Sequence, residues 1–463
     1  MQLRPYQEEA VKAGIEFFND TKQEGGIIVA PTGSGKSIII SNICHQLSGN
    51  ILILQPSLEV LISNKEKAEA LGIADIGVFS TSAGRKDIGK ITFATIKSII
   101  NRKDLLGTFD RLIIDECHLS SARSGQYKEI IEFFKGKVLG LTATPFRLHS
   151  YSDQNGNRSV VAKFLTRTRP KLFHKIIHIT QIGELYKQGY LCPVEYKVNN
   201  KYDPTEIRLN STGADFDEES LRIYNEKKGI LGIIEREIKL NNSKHILAFV
   251  CSVSEAVELD KKLKEIGITS AVISAKTPKQ ERAEILEKFK NGEIRVVSNV
   301  QTMTCGYDFP ALDCVILGRP TQSLSLFMQM VGRCMRIYPG KNVSRVIDIC
   351  NNLSRFGKIN TFEIIEENGK HRMKSNAHFL TGWDFVGNRD VEAMGYKGLK
   401  ESKWNEHTVI MPFGKFKGQH ISKVSTDYLR WMEKTFESGM WKDKFTAELN
   451  RRQRPINKGK LPF

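Results

Sequence analysis

The sequence predicts an α/β fold class, with two parallel-sheet domains in tandem followed by a small C-terminal α+β domain. Short apolar runs alternate with helical patterns along most of the chain. The alternation occurs in two separate blocks of similar size, and the composition changes after about residue 355. At roughly 150 residues per domain, the 463 residues correspond to about three domains.

The first block, residues 1–195, has Ile, Val and Leu on consecutive positions, as expected of strands buried on both faces of a sheet. Helical patterns lie between several of these runs, for example over Pro5 to Phe18 and Ser37 to Leu47. Such alternation predicts a parallel sheet. The strand candidates are Gly26 to Ala30, Ile51 to Leu54, Ile76 to Phe79, Ile91 to Phe93, Arg111 to Ile114 and Val138 to Leu141.

Residues 196–217 are polar and rich in turn formers, which predicts a linker. The second block, 218–355, opens with a helical stretch over Glu218 to Leu240. A further helix is predicted after Thr277, which is followed by a proline and forms a capping box with Gln280. The strand candidates are Ile246 to Val250, Ser270 to Ile273, Arg295 to Ser298, Cys314 to Leu317 and Arg345 to Ile349.

The last part of the chain, residues 356–463, holds all the tryptophans and ends in a basic stretch. Aromatic and basic residues alternate between glycines over Pro412 to Gly418, and a helix capped by Ser425 is predicted after them. Two interpretations stay open. The segment contacts nucleic acid by base stacking, or it forms a small core around Phe413 and Trp431.

The charge favours a polyanionic partner, because Lys and Arg number 69 against 52 Asp and Glu, a net charge of +17. A basic enzyme without such a partner is the alternative. No apolar run approaches the ~20 residues that cross a bilayer, and no signal peptide is visible, so a cytoplasmic protein is expected. The cysteines form no C-x-x-C pair, which favours reduced buried thiols over disulfides or structural zinc.

A phosphate-binding loop is predicted at Ala30-Pro31-Thr32-Gly33-Ser34-Gly35-Lys36-Ser37, directly after a strand and at the start of a helix. Gly33 and Gly35 allow backbone angles that turn consecutive N–H groups toward phosphate oxygens. Lys36 would neutralise the β- and γ-phosphates, and the Ser37 hydroxyl would bind Mg²⁺. A glycine turn without a ligand is the alternative.

Two adjacent carboxylates, Asp115 and Glu116, follow the apolar strand over Arg111 to Ile114. In P-loop nucleotidases an aspartate at a strand end holds Mg²⁺, and a neighbouring glutamate can act as the general base for the attacking water. Taken alone, an Asp-Glu pair after a strand is common, and only the preceding P-loop favours the catalytic interpretation.

The P-loop together with Asp115-Glu116-Cys117-His118 resembles superfamily 2 helicases and translocases of the DExH type. The resemblance implies two RecA-like domains with ATP and Mg²⁺ between them. It also implies roles for other residues of the first block. These are Arg4 and Gln7 at the adenine, Pro56, Ser57 and Thr95 at the nucleic-acid backbone, and His118, Thr142 and Thr144 in coupling nucleotide state to the track.

The second block resembles the remaining helicase segments. By this resemblance Ser252 and Thr304 contact nucleic acid, while Gly306 and Asp308 contact the nucleotide. In the segment from Gln329 to Arg336, Gln329 belongs to the coupling residues. Arg333 and Arg336, three positions apart, share a helix face, and both are predicted to reach the γ-phosphate as arginine fingers.

A basic insertion over about 147–175 is predicted to form a hairpin with its turn near Gly156. We expect it to grip the duplex backbone or to split strands, and a solvated loop is the alternative. The DNA contacts expected here are Arg147, Arg167, Arg169 and Lys171.

Within the superfamily, the residues from Ile179 to Leu191 look like a crossover segment of DNA-directed relatives, and the compact size favours bacteriophage branch-migration helicases of the UvsW type. The resemblance therefore implies an ATP-dependent DNA helicase or translocase that acts on branched DNA, by fork reversal, junction migration or D-loop unwinding. The expected partners are branched DNA and proteins of replication and recombination, and the expected state is a monomer in the host cytoplasm. The alternatives are an RNA helicase and an ATP-gated DNA clamp.

Overall fold

The computed structural model describes residues 2–449 except 23, 154–157, 200, 211–214, 301–308, 377, 386–388, 397–399, 402–423, 436–444 and 446–448. The two predicted α/β domains and a C-terminal α+β region are present among these residues. The predicted fold class is confirmed.

The first domain is a mainly parallel sheet between two layers of helices. Its helices are α1 (Pro5–Asn19), α2 (Lys36–Gln46), α3 (Leu58–Ala70), α4 (Ile96–Ile99), α5 (Gln126–Phe133) and α6 (Ile182–Lys187). Its strands are β1 (Gly26–Val29), β2 (Ile51–Gln55), β3 (Ile76–Ser80), β4 (Arg85–Lys86), β5 (Ile91–Thr95), β6 (Arg111–Asp115), β7 (Lys137–Thr142), β8 (Phe146–Ser152), β9 (Arg158–Phe164) and β10 (Lys175–Ile179).

The strand order in this sheet is β10-β1-β7-β6-β2-β5-β3-β4, so β1, which precedes the P-loop, and β6, which ends in Asp115, are both interior strands. Apolar side chains alternate between two cores: Leu52 and Leu54 of β2 face one, while Ile51 and Ile53 face the other. The carboxyl ends of the parallel strands therefore lie at one edge, where ligand sites of open α/β sheets form.

The second domain repeats this plan. Its strands are β11 (Val194–Val198), β12 (Ile246–Phe249), β13 (Ser270–Ile273), β14 (Val296–Asn299), β15 (Cys314–Leu317) and β16 (Ser344–Asp348), in the order β11-β16-β15-β12-β14-β13. Its helices are α7 (Glu218–Lys227), α8 (Ile230–Leu240), α9 (Val253–Glu265), α10 (Lys279–Lys290), α11 (Leu324–Gly332) and α12 (Asn352–Phe356).

The linker predicted over 196–217 is wrong. Its first residues belong to β11, which pairs with β16, and Tyr202, Ile207 and Phe216 are buried in the core of the second domain. Polar and apolar residues alternate along β11, which is an edge strand of the sheet. In the sequence, its polar residues resemble those of a linker. The helical stretch predicted over Glu218 to Leu240 forms two helices, divided at Gly229, whose φ of +62° is left-handed.

The C-terminal region contains short strands and one described helix. These are β17 (Phe362–Glu367), β18 (Lys370–Ser375), β19 (His378–Phe379), β20 (Trp383–Asp384), β21 (Arg389–Asp390), β22 (Lys400–Glu401) and α13 (Thr426–Thr435). Strand β22 pairs with β8 of the hairpin β8–β9. The side-chain amide of Gln181, next to α6, makes hydrogen bonds with both the N–H and the carbonyl of Ile364. The region is therefore docked on the first domain.

The cysteines that the structure describes are all free thiols. Within the described part of the chain, no helix is long and apolar enough to span a membrane.

Candidate nucleotide and nucleic-acid site

The P-loop has the geometry that its sequence predicts. It follows β1, and Gly33 and Gly35 both have φ of +87°, a left-handed conformation that favours glycine. Helix α2 begins at Lys36, so its unpaired N–H groups and its partial positive charge lie at the loop.

The N-terminal segment holds this loop from one side. Gln7 donates from Nε2 to the carbonyl oxygen of Ser34 at 2.8 Å, and Tyr6 donates its hydroxyl to the same oxygen at 2.9 Å. The Arg4 guanidinium lies 4.8 Å from the ring centroid of Tyr190, which packs on Tyr6. The predicted adenine-reading residues, Arg4 and Gln7, thus lie beside the P-loop. The side-chain amide of Gln7 donates its hydrogen bond to the loop itself.

Lys36 and the carboxylate pair meet at the ends of β1 and β6. Lys36 Nζ lies 3.4 Å from Glu116 Oε1. Glu116 has φ of +50°, a conformation that costs a non-glycine residue about 1–3 kcal/mol and that clusters at functional sites. The structure therefore brings the predicted P-loop lysine and the predicted general base into contact.

The two carboxyl groups differ in their surroundings. Burial, and next the neighbouring charge of Glu116, raises the pKa of Asp115. Burial also acts to raise the pKa of Glu116, but the nearby Lys36 ammonium and His118 outweigh it and hold that pKa below its usual range. Glu116 is accordingly the more acidic member of the pair.

Two amide side chains beside Asp115 were not predicted from the sequence. Asn64 of α3 donates from Nδ2 to Asp115 Oδ2 at 3.0 Å, and both residues are buried. Gln55 ends β2, which neighbours β6, and its side chain is fully buried. One signal could have identified Asn64: a polar residue within the apolar stripe formed by Leu61 and Ala68.

His118 connects the first domain with the second. Its Nδ1 lies 2.9 Å from Thr142 Oγ1 and 3.3 Å from Glu116 Oε2, while its Nε2 lies 3.1 Å from the side-chain nitrogen of Gln329 on α11. The backbone N–H of Thr144 donates to Thr142 Oγ1. The predicted coupling residues form one chain of contacts.

The end of α11 packs directly against the P-loop. A Cβ placed on Gly332 would lie 2.8 Å from Thr32 Cβ, and one placed on Gly33 would lie 3.3 Å from Arg336 Cγ. Arg333 is buried, and burial lowers the pKa of Arg336 to about 10. Both predicted arginine fingers thus lie on the segment that closes over the phosphate-binding loop.

Two of the predicted nucleic-acid contacts occupy matching places in the two domains. Ser57 follows β2 and caps α3 by accepting from the N–H of Val60, and Ser252 follows β12 and caps α9 by accepting from the N–H of Glu255. Pro56 is partly exposed beside Ser57. Thr95 differs, because its buried hydroxyl is hydrogen-bonded to Ser80 and Ser98. A contact from the Thr95 side chain is not supported.

The basic hairpin exists as β8 and β9, but its predicted DNA contacts have different surroundings. Arg169 and Lys171 are exposed, whereas Arg147 donates to the carbonyl oxygen of His118 at 2.8 Å. Arg167 forms an ion pair with Glu392 of the C-terminal region. Assigning Arg167 to DNA is therefore wrong in this arrangement, because a carboxylate distant in sequence already occupies its guanidinium.

Some predicted residues lie outside the described part of the chain. These are Thr304, Gly306, Asp308 and the segment from Pro412 to Gly418.

Comparison with protein families assigns both α/β domains. Residues 1–147 match the family described as the res subunit of type III restriction enzymes, and residues 229–338 match the conserved C-terminal domain of helicases. The P-loop and the carboxylate pair lie in the first match, and α11 lies in the second. The chain belongs to superfamily 2 of the helicases.

The relatives of this chain come from cells and from viruses. IRC3 of Saccharomyces cerevisiae, a candidate ATP-dependent helicase, is 28% identical over 373 residues, covering 75% of this chain and 51% of IRC3. The DNA 3'-5' translocase XPB2 of Sulfurisphaera tokodaii is 26% identical over 363 residues, covering 73% of this chain and 79% of the relative. A 51.5 kDa protein of a Lactococcus phage is 26% identical over 371 residues, covering 79% and 72%. The helicase thus spans about half the length of IRC3.

Solved structures share the fold. The fragment of a type I restriction enzyme HsdR subunit from Vibrio vulnificus has a TM-score of 0.58 at 21% identity, covering 80% of this chain and 70% of that one. The type ISP restriction-modification enzyme LlaBIII, bound to DNA, has a TM-score of 0.54 at 18% identity, covering 75% and 27%.

A third family, described as a candidate quorum-sensing-regulated virulence factor, matches residues 405–448 of the helicase. Most of this range lies outside the described residues.

Proposed function

We propose that the chain is an ATP-dependent DNA translocase or helicase that remodels branched DNA. The observation that carries this proposal is the closed contact between the two domains at the P-loop, where Arg336 lies against Gly33 and Gln329 reaches His118. A cleft built this way links nucleotide state to the relative position of the two domains, which is what directional movement along a strand requires.

The residues around Asp115 fit a bound Mg²⁺. Asp115 is a buried carboxylate with a second carboxylate, Glu116, next to it in sequence, and the Gln55 amide has no hydrogen-bond partner among the described residues. We assign Ser37 and Asp115 to the metal. Mg²⁺ would supply charge neutralisation at the phosphate oxygens.

In this proposal Lys36 changes its partner when ATP binds. Lys36 binds the phosphates of ATP and thereby leaves Glu116, with which it now pairs at 3.4 Å. Losing the ammonium raises the pKa of Glu116, because a favourable charge is withdrawn from a buried carboxylate. Glu116 then accepts the proton of the attacking water, so that general-base catalysis follows substrate binding.

Arg333 and Arg336 stabilise the charge that develops on the γ-phosphate, and Thr32, Gly33, Ser34 and Gly35 hold the phosphates with backbone N–H groups. His118, Thr142, Thr144 and Gln329 pass changes at the phosphate to the domain interface. Arg4 and Gln7 hold the adenine end. Asp308 and Gly306 remain candidates for the nucleotide.

DNA is assigned to the strand ends that carry Ser57 and Ser252, one in each α/β domain. Each is the N-cap of a helix whose N-terminus can bind a backbone phosphate, and the net charge of +17 favours such a partner. The exposed Arg169 and Lys171 are further candidates for contacts with backbone phosphates. The name of the relative XPB2, a DNA 3'-5' translocase, supports DNA as the track.

Branched DNA, in the manner of phage branch-migration helicases of the UvsW type, is the finer part of the proposal. It rests on the crossover segment from Ile179 to Leu191 and on the phage relative. The test is a comparison of ATPase and unwinding rates on forks, Holliday junctions, linear duplexes and RNA hybrids, with Lys36→Ala as the inactive control. Preference for junctions supports the proposal, and equal rates on linear duplexes contradict the branched-DNA role.

RNA unwinding is the second candidate, favoured by one relative, the ATP-dependent RNA helicase CHR1 of Candida albicans, 24% identical over 324 residues. Stronger ATPase stimulation by RNA than by DNA would select it. An ATP-gated DNA clamp would hydrolyse ATP without moving strands.

A further inference from the structure

We propose that Gln55 and Asn64 are positioning residues that hold Asp115 and the water shell of its metal. This inference rests on the proposed function, because it needs Mg²⁺ at Asp115. Neither residue belongs to the motifs that the sequence analysis identified.

Asn64 occupies a place where an apolar residue would be expected. Helix α3 packs on the sheet through Leu61 and Ala68, which lie three residues before and four residues after Asn64. A buried amide costs free energy unless it is hydrogen-bonded, so a polar side chain in this stripe needs a partner. The partner that the structure shows is Asp115.

The hydrogen bond fixes the orientation of the carboxylate. Asp115 Oδ2 accepts from Asn64 at 3.0 Å, and Oδ1 accepts from the backbone N–H of Glu116 at 2.9 Å. Both donors are neutral, so they orient the Asp115 carboxylate without neutralising its negative charge. A carboxylate oxygen keeps lone pairs for a cation or for a metal-bound water while it accepts such a bond.

Gln55 lies beside the same carboxylate. Strands β2 and β6 are parallel and in register up to Leu54 and Ile114, and Gln55 and Asp115 are the next residue on each strand. Ile53 and Ile113 face the same core, so Gln55 and Asp115, two positions further along, share their face of the sheet.

The amide of Gln55 is fully buried, and neither its nitrogen nor its oxygen has a hydrogen-bond partner among the described residues. An amide offers both donors and an acceptor, and Mg²⁺ keeps several waters that donate hydrogen bonds. We assign the Gln55 oxygen to such a water. Outer partners of this kind orient metal ligands in many sites.

A purely structural role for Gln55 would make the Gln55→Leu variant less stable than wild type. The surroundings of Gln55 predict the opposite. Replacing a buried unsatisfied amide with an apolar group of similar size removes a desolvation cost, so Gln55→Leu should leave the melting temperature equal or higher. Weaker metal binding in a variant that is no less stable would separate positioning from folding.

The experiment measures Mn²⁺ binding by electron paramagnetic resonance in the full chain with a non-hydrolysable ATP analogue. The variants are Asn64→Leu and Gln55→Leu, and Asn64→Ser serves if the leucine variant does not fold. Asn42→Leu is the matched control, because Asn42 is also buried on a helix of this domain but donates only to Ile38 of its own helix.

We expect Mn²⁺ affinity to fall about 10–100-fold in both Asn64→Leu and Gln55→Leu, and to stay within about twofold of wild type in Asn42→Leu. Binding of the analogue in the presence of EDTA should not change. Wild-type Mn²⁺ affinity in either test variant overturns the assignment of that residue. If the wild-type protein binds no nucleotide, the proposed function itself fails.

Discussion

The imidazole of His118 lies between Glu116 of the first domain and Gln329 of the second. Its Nδ1 is 3.3 Å from the Glu116 carboxylate, and its Nε2 is 3.1 Å from the Gln329 amide nitrogen. With that nitrogen as the donor, the ring accepts at Nε2 and carries its proton on Nδ1, facing Glu116 and Thr142. Rotation of the second domain would break this contact, so the surroundings of Glu116 depend on the relative position of the two domains.

Removing either side chain should lower the rate of DNA-stimulated ATP hydrolysis, and the two effects should not add. In a cycle of His118→Phe, Gln329→Leu and the double variant, we expect a coupling energy of about 0.5–3 kcal/mol from kcat/KM. His178→Phe combined with Gln329→Leu is the control, because His178 bonds Thr180 within the first domain. Additive effects of His118 and Gln329 would show that the contact does not couple the domains.

Glu116→Gln should lower kcat about 10²–10⁴-fold, the contribution of a general base. The affinity for ATP should stay equal or increase, since Lys36 no longer has a competing carboxylate at 3.4 Å. Single-turnover hydrolysis and equilibrium binding of a fluorescent nucleotide measure the two quantities. Lys36→Ala should lose binding, and a turnover rate of Glu116→Gln close to wild type would remove Glu116 from the mechanism.

Stability should depend on pH through Asp115. Burial, and then the charge of Glu116, raises its folded-state pKa above the unfolded value of 3.8. The folded protein therefore binds more protons, and it loses stability as the pH rises from the unfolded to the folded pKa. Asp115→Asn lacks this loss, so its melting temperature relative to wild type should increase from about pH 4 to about pH 6 without nucleotide and level off above that range. A difference that does not change with pH would contradict the assigned shift.

Gly332→Ala should impair turnover without unfolding the protein. The new methyl group would lie 2.8 Å from Thr32 Cβ, so α11 must move away from the P-loop. Overpacking of this kind costs about 1–3 kcal/mol, which corresponds to about 5–150-fold in kcat/KM. Gly232→Ala on α8 is the matched control, because nothing lies within 4 Å of its added Cβ. Equal kinetics for the two variants would mean that the domains need not meet here.

The basic residues at the hairpin should have two different roles. Arg167 should stabilise the fold, whereas Arg169 and Lys171 should bind DNA. Arg167→Ala leaves Glu392 buried without its partner, which should lower the free energy of unfolding by about 3 kcal/mol and leave the salt dependence of DNA binding unchanged. Arg169→Ala with Lys171→Ala should reduce the salt slope by about 0.9 for each phosphate that is no longer neutralised. A reduced slope in Arg167→Ala at unchanged stability would restore its predicted role.

Prediction from the sequence succeeded for features whose residues lie close together along the chain. The P-loop and the Asp115-Glu116 pair could be predicted because strand, glycine turn and helix follow each other within a few residues, and parallel strands bring their ends to one edge. It failed where a partner is distant along the chain. Nothing in the basic run around Arg167 indicates Glu392, and periodicity alone does not indicate that Asn64 faces Asp115.

The central claim is that ATP is hydrolysed between two domains that both contribute to the reaction. Single-turnover hydrolysis on saturating forked DNA, comparing wild type with Arg336→Ala, tests it most directly. The account predicts a rate about 10³–10⁵-fold lower with ATP binding retained. A rate equal to wild type would contradict it, because the second domain would then contribute nothing at the γ-phosphate.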